Sequence, residues 1–354
     1  MAELNQEKVN DFSSKILNTL NGSFLSLAIS IGHRTKLFEI MATLPASTSE
    51  EIAEAAGLHE RYVREWLGAM VTGRIVEYHA GSRKYTLPAE HAAILTSVAG
   101  PNNMARFARV IPLLASVEAG ISASFRNGGG VGYPAHKEFM GVWAEINAER
   151  IDATLTQEVL PLVPNLMDEL HAGIEVLDVG CGDGYAATHM AKTFPNSRFT
   201  AYDLVDHFID SARKRAKSLN IGNVRFERRD ALRIDEPKKF HLITSFDAIH
   251  DMAKPSEVLQ TIARSLAENG TFLLGDLAAS SNLEDNMDHP LGPWLYTTSC
   301  MHCVTVSLEQ NGDGLGAMCG KQKMLEMLAG AGFKNVDVKQ ISSDPFNNYY
   351  IAKL

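Results

Sequence analysis

Cysteine is scarce. Four in 354 residues cannot build a disulfide framework, so a reduced, cytoplasmic setting is expected. Long apolar runs are missing too. The best candidate, Phe24 to Ile31, is interrupted by Ser26 and Ser30 and falls well short of the roughly 18 residues that a membrane span needs, so no membrane partner is expected. The opening residues, Met1 to Glu7, are acidic and polar, unlike the basic start and apolar stretch of a secretory signal. Positive charge is in deficit, with 33 Lys and Arg against 42 Asp and Glu. The net charge of −9 provides no global attraction to nucleic acid or an anionic surface, so nucleic acid is not an expected partner. The tail Ala352-Lys353-Leu354 has a trace of a peroxisomal address, but Asn348 to Leu354 reads as a closing strand that would hide it.

What is present is ordinary globular chemistry: 45% hydrophobic and 21% charged residues, over a length that suits two or three domains. Apolar residues recur at helical spacing from 12 to 42, with a restart after Gly32. Ser47-Thr48-Ser49-Glu50-Glu51 has the signature of a helix start, and that helix stops at Gly57. A second helix runs from Glu60 to Val71 and carries Val63, Trp66, Leu67 and Met70 on one face. Segments 75–79 and 84–87, split by Gly81-Ser82, read as a hairpin. Together these describe an α-rich winged helix over residues 1–98. Residues 99–170 read as a helical linker or cap, with helices at 104–119, 137–147 and 149–160. Between the first two lies a loop at 127–134 with four glycines and a proline. From 171 to 354 strands and helices alternate, the pattern of an α/β sheet with helices on both faces.

The sharpest motif opens that last domain. Glu175-Val-Leu-Asp178-Val runs into Gly180-Cys-Gly182-Asp-Gly184 and then a helix. Glycines here allow a tight turn and a close ligand approach. Asp203 ends the next strand, where a carboxylate can accept from a ribose diol. Asp183 inside the turn is a poor neighbour for a pyrophosphate and a better one for a ligand with an ammonium and a sulfonium. At this point the chain resembles the class I S-adenosylmethionine-dependent methyltransferases, over about residues 174–354. The resemblance implies a Rossmann-like methyltransferase sheet and S-adenosyl-L-methionine as cofactor. It implies cofactor contacts at Asp178, Gly180, Gly182, Gly184, Asp203, Leu204, Asp230, Ala231 and Phe246.

After the fourth strand of the sheet comes Phe246-Asp-Ala-Ile-His250-Asp251-Met252. It resembles the His-Asp-Trp segment of plant and antibiotic O-methyltransferases, whose histidine deprotonates the acceptor hydroxyl; Met252 departs from the pattern. The resemblance makes His250 the expected general base, with Asp251 to orient it and His302 as second candidate. Imidazole titrates in the range such a base needs. Cys300-x-x-Cys303 with His302 and Cys319 raises a zinc site, but one Cys-x-x-Cys pair fits no standard ribbon, and no metal is expected. Phe107, Phe139, Trp143, Trp294, Tyr296 and Cys303 are candidates for lining the acceptor pocket. From end to end the chain is also similar to a narrower winged-helix methyltransferase family, through Arg61-Tyr-Val-Arg-Glu-Trp-Leu67, Gly128-Gly-Gly-Val131 and His302-Cys303-Val304.

The expected activity is methyl transfer to a small-molecule acceptor, with oxygen first and nitrogen or sulfur open. The competing class is an S-adenosylmethionine-sensing winged-helix regulator that binds DNA through Arg61, Arg64, Arg83 and Lys84. Glu60 and Glu65 share the helix with those arginines, which favours a dimerisation role. In the resembling O-methyltransferases such N-terminal helices swap across a two-fold axis, which implies a homodimer.

Overall fold

The computed structural model describes residues 4–354; the first three residues of the acidic N-terminus lie outside it. The chain forms two compact units, Met1–Ala115 and Ser116–Leu354. No single helix among the described residues is long and apolar enough to cross a membrane.

The first unit begins with a 29-residue helix, Gln6–Arg34, and restarts at Leu37–Thr43. Helix Ser49–Ala56 starts at a reciprocal cap: the Glu51 amide donates to Thr48 Oγ1, and Glu51 Oε2 accepts from the Thr48 amide. Gly57 ends it in the left-handed region. Helix Glu60–Thr72 buries Val63, Trp66, Leu67 and Met70 against Leu37, Phe38, Met41 and Ile52. The Trp66 indole donates to the Ala28 carbonyl at 2.8 Å, which satisfies its polar edge. Strands β1 (Glu77–His79) and β2 (Lys84–Thr86) form the antiparallel wing. The face of the first helix that carries Phe12, Ile16, Leu17, Leu20 and Phe24 is exposed.

The expected single helix at 104–119 is broken into Met104–Phe107, Val110–Ala115 and Glu118–Asn127. Pro112 explains the first break, because its ring has no amide hydrogen and collides with the carbonyl four residues earlier. The expected pair at 137–147 and 149–160 is instead one helix, Lys137–Thr154, which runs on into a wider turn at Leu155–Val159.

The second unit is built on a seven-stranded sheet. Its strands are β3 (Glu175–Val179), β4 (Arg198–Asp203), β5 (Val224–Arg228), β6 (Phe240–Phe246), β7 (Leu266–Leu277), β8 (Asn335–Ile341) and β9 (Asp344–Lys353). The order is β5-β4-β3-β6-β7-β9-β8. The first five are mutually parallel, and β9 is antiparallel to both of its neighbours. Alternate residues face opposite layers. Leu177, Ile243, Phe272 and Leu274 pack with helices Pro255–Ser265 and Gly320–Gly330. Val176, Leu242 and Leu273 pack on the other side with Leu166, Leu170, Met190 and Phe194. Both faces are covered, which is why these strands read as unbroken apolar runs. The chain reverses direction across the sheet between β3 and β6, and the carboxyl ends there form the crevice in which ligands of such folds sit.

Candidate active site

The turn after β3 is held open by its glycines. Gly180, Gly182 and Gly184 have φ of 71°, 54° and 73°, the left-handed region that side chains disfavour. A Cβ on Gly180 would lie 2.5 Å from Ala248 Cβ, and one on Gly184 would lie 2.5 Å from the Phe226 ring. A Cβ on Gly182 would meet nothing within 4 Å. The outer two glycines thus let the turn pack on its neighbours, while the middle one faces open space.

Asp203, at the end of β4, braces this turn. Its Oδ2 accepts from the Gly182 amide at 2.8 Å and its Oδ1 from the Val205 amide at 2.9 Å. Burial pushes its pKa up against those two hydrogen bonds. Asp178 is buried inside the end of β3 and accepts from the Thr244 hydroxyl at 2.7 Å. Burial, opposed by that hydrogen bond and reinforced by the Asp203 charge, raises it to about 7. Asp183 pairs with Arg215, so the turn carries a paired carboxylate and not the free one expected to disfavour a pyrophosphate.

A cavity of about 390 Å³ opens over this turn. Its floor is Asp178, Gly180, Gly182, Asp203, Asp230 and Phe246, and its far wall is Tyr133, Phe139, Met140, Trp143, Asp251 and His302. Leu204 and Ala231 also line it. Phe139 and Trp143 are stacked, with centroids 6.1 Å apart and planes within 11°.

From His302 and Asp251 on that wall a row of alternating imidazoles and carboxylates runs inward to His250 and Asp276. His250 Nδ1 is 2.7 Å from Asp276 Oδ1, and His250 Nε2 is 3.4 Å from Asp251 Oδ1. The other Asp251 oxygen lies 3.4 Å from His302 Nε2. Burial works against a charge on His250, but Asp276 and Asp251 outweigh it and hold its pKa well above the usual imidazole value. Asp251 is held at about 2: burial pushes it up, and the His250 charge and the contact with His302 pull it down further. The His136 ring lies 4.8 Å from that of His302, tilted by 35°, and burial followed by that neighbour lowers its pKa to about 4.

Donor atoms of His250, Asp251 and Cys303 lie within 4.8 Å of one another, the one grouping among the described residues with metal-ligand chemistry. Cys300 and Cys319 are not part of it, and all four cysteines are free. Burial raises the Cys303 thiol to about 12.

Comparison with known families fits this geometry. Residues 170–332 match a methyltransferase domain, and residues 23–97 match an Rv2258c-like winged HTH domain. The match to a methyltransferase domain covers the glycine turn, Asp203 and the row from Asp251 to Asp276. Among curated relatives, the 27-O-demethylrifamycin SV methyltransferase of Amycolatopsis mediterranei is 30% identical over 140 residues, 38% of this chain and 49% of that protein. The fatty-acid O-methyltransferase of Mycolicibacterium smegmatis is 33% identical over 105 residues, 29% of this chain and 37% of that protein. The chain thus spans less than half the length of these relatives. In fold it is similar to the mitomycin 7-O-methyltransferase MmcR, at TM-score 0.72 and 15% identity over 99% of this chain and 100% of that one. It is also similar to human N-acetylserotonin methyltransferase in complex with SAM, at TM-score 0.67 and 16% identity over 100% and 99%.

The residues of this cavity fit S-adenosylmethionine. The open space at Gly182 admits a ligand against the backbone, and each Asp203 oxygen keeps a lone pair for a ribose hydroxyl beyond the amide it already holds. Asp178, Asp203, Asp230, Asp247 and Asp251 make the cavity acidic, which suits a cationic ligand.

Several expected site residues fall elsewhere. Gly184 supports the turn from below without lining the cavity. Trp294 and Tyr296 sit on helix Gly292–Thr298 and do not line it; the Tyr296 hydroxyl instead accepts from the Asn286 amide at 3.1 Å. Phe107 belongs to the first unit. Cys303 lies among the buried histidines rather than on the wall. His250 is likewise behind the wall, whereas Asp251 and His302 are on it. The sequence reading missed Asp276, Arg150 and Asp247. The strand end Gly275-Asp276-Leu277 was a signal for the first, because the carboxyl ends of parallel strands deliver side chains to the crevice.

Proposed function

We propose that this protein transfers a methyl group to a hydroxyl of a small, planar, largely apolar acceptor. The observation that carries the reading is one cavity that joins the glycine turn and Asp203 to an aromatic wall bearing His302. Bound S-adenosylmethionine supplies the electrophilic methyl. Asp203 holds the ribose, the strand end at Asp230 and Ala231 borders the adenine, and Phe139 with Trp143 aligns the acceptor. Positioning of this kind can supply a large share of the rate.

The acceptor proton goes to the cavity-facing pair, His302 with Asp251. His250, anchored by Asp276, fixes Asp251 from behind as a positioning residue. What supports this over His250 itself is that His250 has both ring nitrogens turned toward carboxylates and does not line the cavity. Oxygen as the acceptor atom is supported by the relatives, several of which are O-methyltransferases by name.

The winged helix serves assembly of a homodimer in the cytoplasm, not DNA reading. Arg61 and Arg64 each lie beside a glutamate one turn away, Glu65 and Glu60, so this helix presents no net positive face to a phosphate backbone. The test is calorimetric titration with S-adenosylhomocysteine, followed by a panel of phenols, alcohols, amines and thiols assayed for S-adenosylhomocysteine release. Micromolar binding with turnover confined to hydroxyl acceptors supports the reading. Binding of a winged-helix operator without turnover of any acceptor refutes it.

A further inference from the structure

We propose that His250, Asp251 and Cys303 form a zinc site at the inner side of the cavity wall. The inference goes beyond methyl transfer and does not depend on it. Donor atoms of the three side chains lie within 4.8 Å of one another. Ligands about 2.0–2.3 Å from a tetrahedral zinc lie roughly 3.3–3.6 Å apart. His250 Nε2 and Asp251 Oδ1 are 3.4 Å apart, which fits that edge. The same distance is long for a charge-assisted hydrogen bond, which closes to about 2.7–2.9 Å. Asp251 Oδ1 is buried without a hydrogen-bond partner. An idle carboxylate oxygen beside a ring nitrogen and a thiol is costly unless a cation satisfies it.

The surroundings are those of a metal ligand. The other His250 nitrogen, Nδ1, lies 2.7 Å from Asp276 Oδ1, and that oxygen also accepts from the Leu277 amide at 2.8 Å. A metal-bound histidine characteristically donates its second ring N–H to a carboxylate, which fixes the tautomer and leaves the other nitrogen as the ligand. Cys303 closes a wider, π-type turn, Ser299–Cys303, from which its neighbour His302 reaches the cavity wall. Such turns are frequent at functional sites. Cys300, the other half of the Cys-x-x-Cys spacing, lies outside the cluster, so the site is assembled by the fold and not by that motif. A thiolate among the ligands selects zinc over magnesium or calcium. The charge balances. One zinc ion enters and two protons leave, one from the Cys303 thiol and one from the His250 ring, which Asp276 and Asp251 hold protonated. The buried charge is the same before and after. Asp251 Oδ2 keeps its place 3.4 Å from His302 Nε2, and three protein ligands leave a fourth position for water.

The test is metal binding by the full chain after dialysis against EDTA, with neither cofactor nor acceptor present. Calorimetric titration with Zn²⁺ should show one site per chain and release of about two protons, read from the dependence of the heat on the buffer. Co²⁺ should give a thiolate-to-metal charge-transfer band in the near ultraviolet. Cys303→Ala and His250→Gln should weaken zinc binding more than about 100-fold and Asp276→Asn about 10- to 100-fold, whereas Cys300→Ser and Cys319→Ser should stay within about threefold of wild type. Circular dichroism checks that each variant folds; should Cys303→Ala not fold, the cobalt band of the wild type decides alone. Absence of that band, zinc binding that survives Cys303→Ala, or an equal loss in Cys300→Ser overturns the proposal. None of these readouts involves S-adenosylmethionine, so a failure here and a failure of the methyl-transfer reading are told apart.

Discussion

Asp178→Asn should stabilise the cofactor-free protein at alkaline pH and leave it unchanged in acid. The side chain is 3% exposed, and its recorded hydrogen-bond partner is the Thr244 hydroxyl. Burial first, and then the Asp203 charge, raise the carboxyl from 3.8 to about 7. The folded chain therefore keeps a proton that the unfolded chain has released between those values. Stability falls as pH rises through that window. Below it both states are protonated and the contribution vanishes; above it the full cost is present, about 4 kcal/mol at 1.36 kcal/mol per pH unit. Asparagine is uncharged throughout and can still accept from Thr244. Urea titrations of both proteins across pH 4.5 to 8 should give a difference of about 1 kcal/mol at the acid end, growing to about 4 kcal/mol in favour of the variant. A variant less stable at pH 8, or a difference independent of pH, would refute the reasoning.

Gly184→Ala places a methyl 2.5 Å from Phe226 at φ 73° and should destabilise the fold by more than about 2 kcal/mol in thermal melts. Gly182→Ala meets open space and should cost only about 1 kcal/mol, yet lose S-adenosylhomocysteine affinity. His302→Gln should lower kcat by about 10²–10⁴-fold with cofactor affinity retained. His250→Gln should shift the pH–rate profile with a smaller loss; a larger loss there than at His302 would reverse the assignment. Leu20→Glu, at a side chain 50% exposed on the apolar face of helix Gln6–Arg34, should convert a dimer to a monomer in light scattering.

The parts of this molecule that were legible in sequence are those whose physics is local. A strand that must be buried on both faces, a turn that needs three glycines and an acid closing the next strand each leave a mark within a few residues. The wing and the cap at Thr48 are of the same kind. Asp247 and Arg150 are 97 positions apart, and Arg150 and Asp344 are 194 apart. No spacing rule connects them, because their chemistry exists only once the sheet has closed. The same holds for Asp276 and His250, which β6 and β7 bring together. Trp294 and Tyr296 misled for the opposite reason: aromatic side chains in a segment inserted near the crevice suggest a wall, but which way a short helix turns is decided by its packing.

The glycine-rich loop has a consequence for the shape of the cavity. A Cβ on Gly128 or Gly129 would meet nothing within 4 Å, and both residues have φ above 70°, whereas a Cβ on Gly130 would lie 1.9 Å from the Thr305 carbonyl oxygen. The next amide, Val131, donates to Thr305 Oγ1 at 2.6 Å. Two unencumbered glycines are therefore followed by a segment seated on helix Val304–Glu309. Tyr133, on the cavity wall, lies two residues past Val131. A side chain at position 130 would therefore push Tyr133, and with it part of the cavity lining, away from helix Val304–Glu309, although residue 130 itself does not line the cavity.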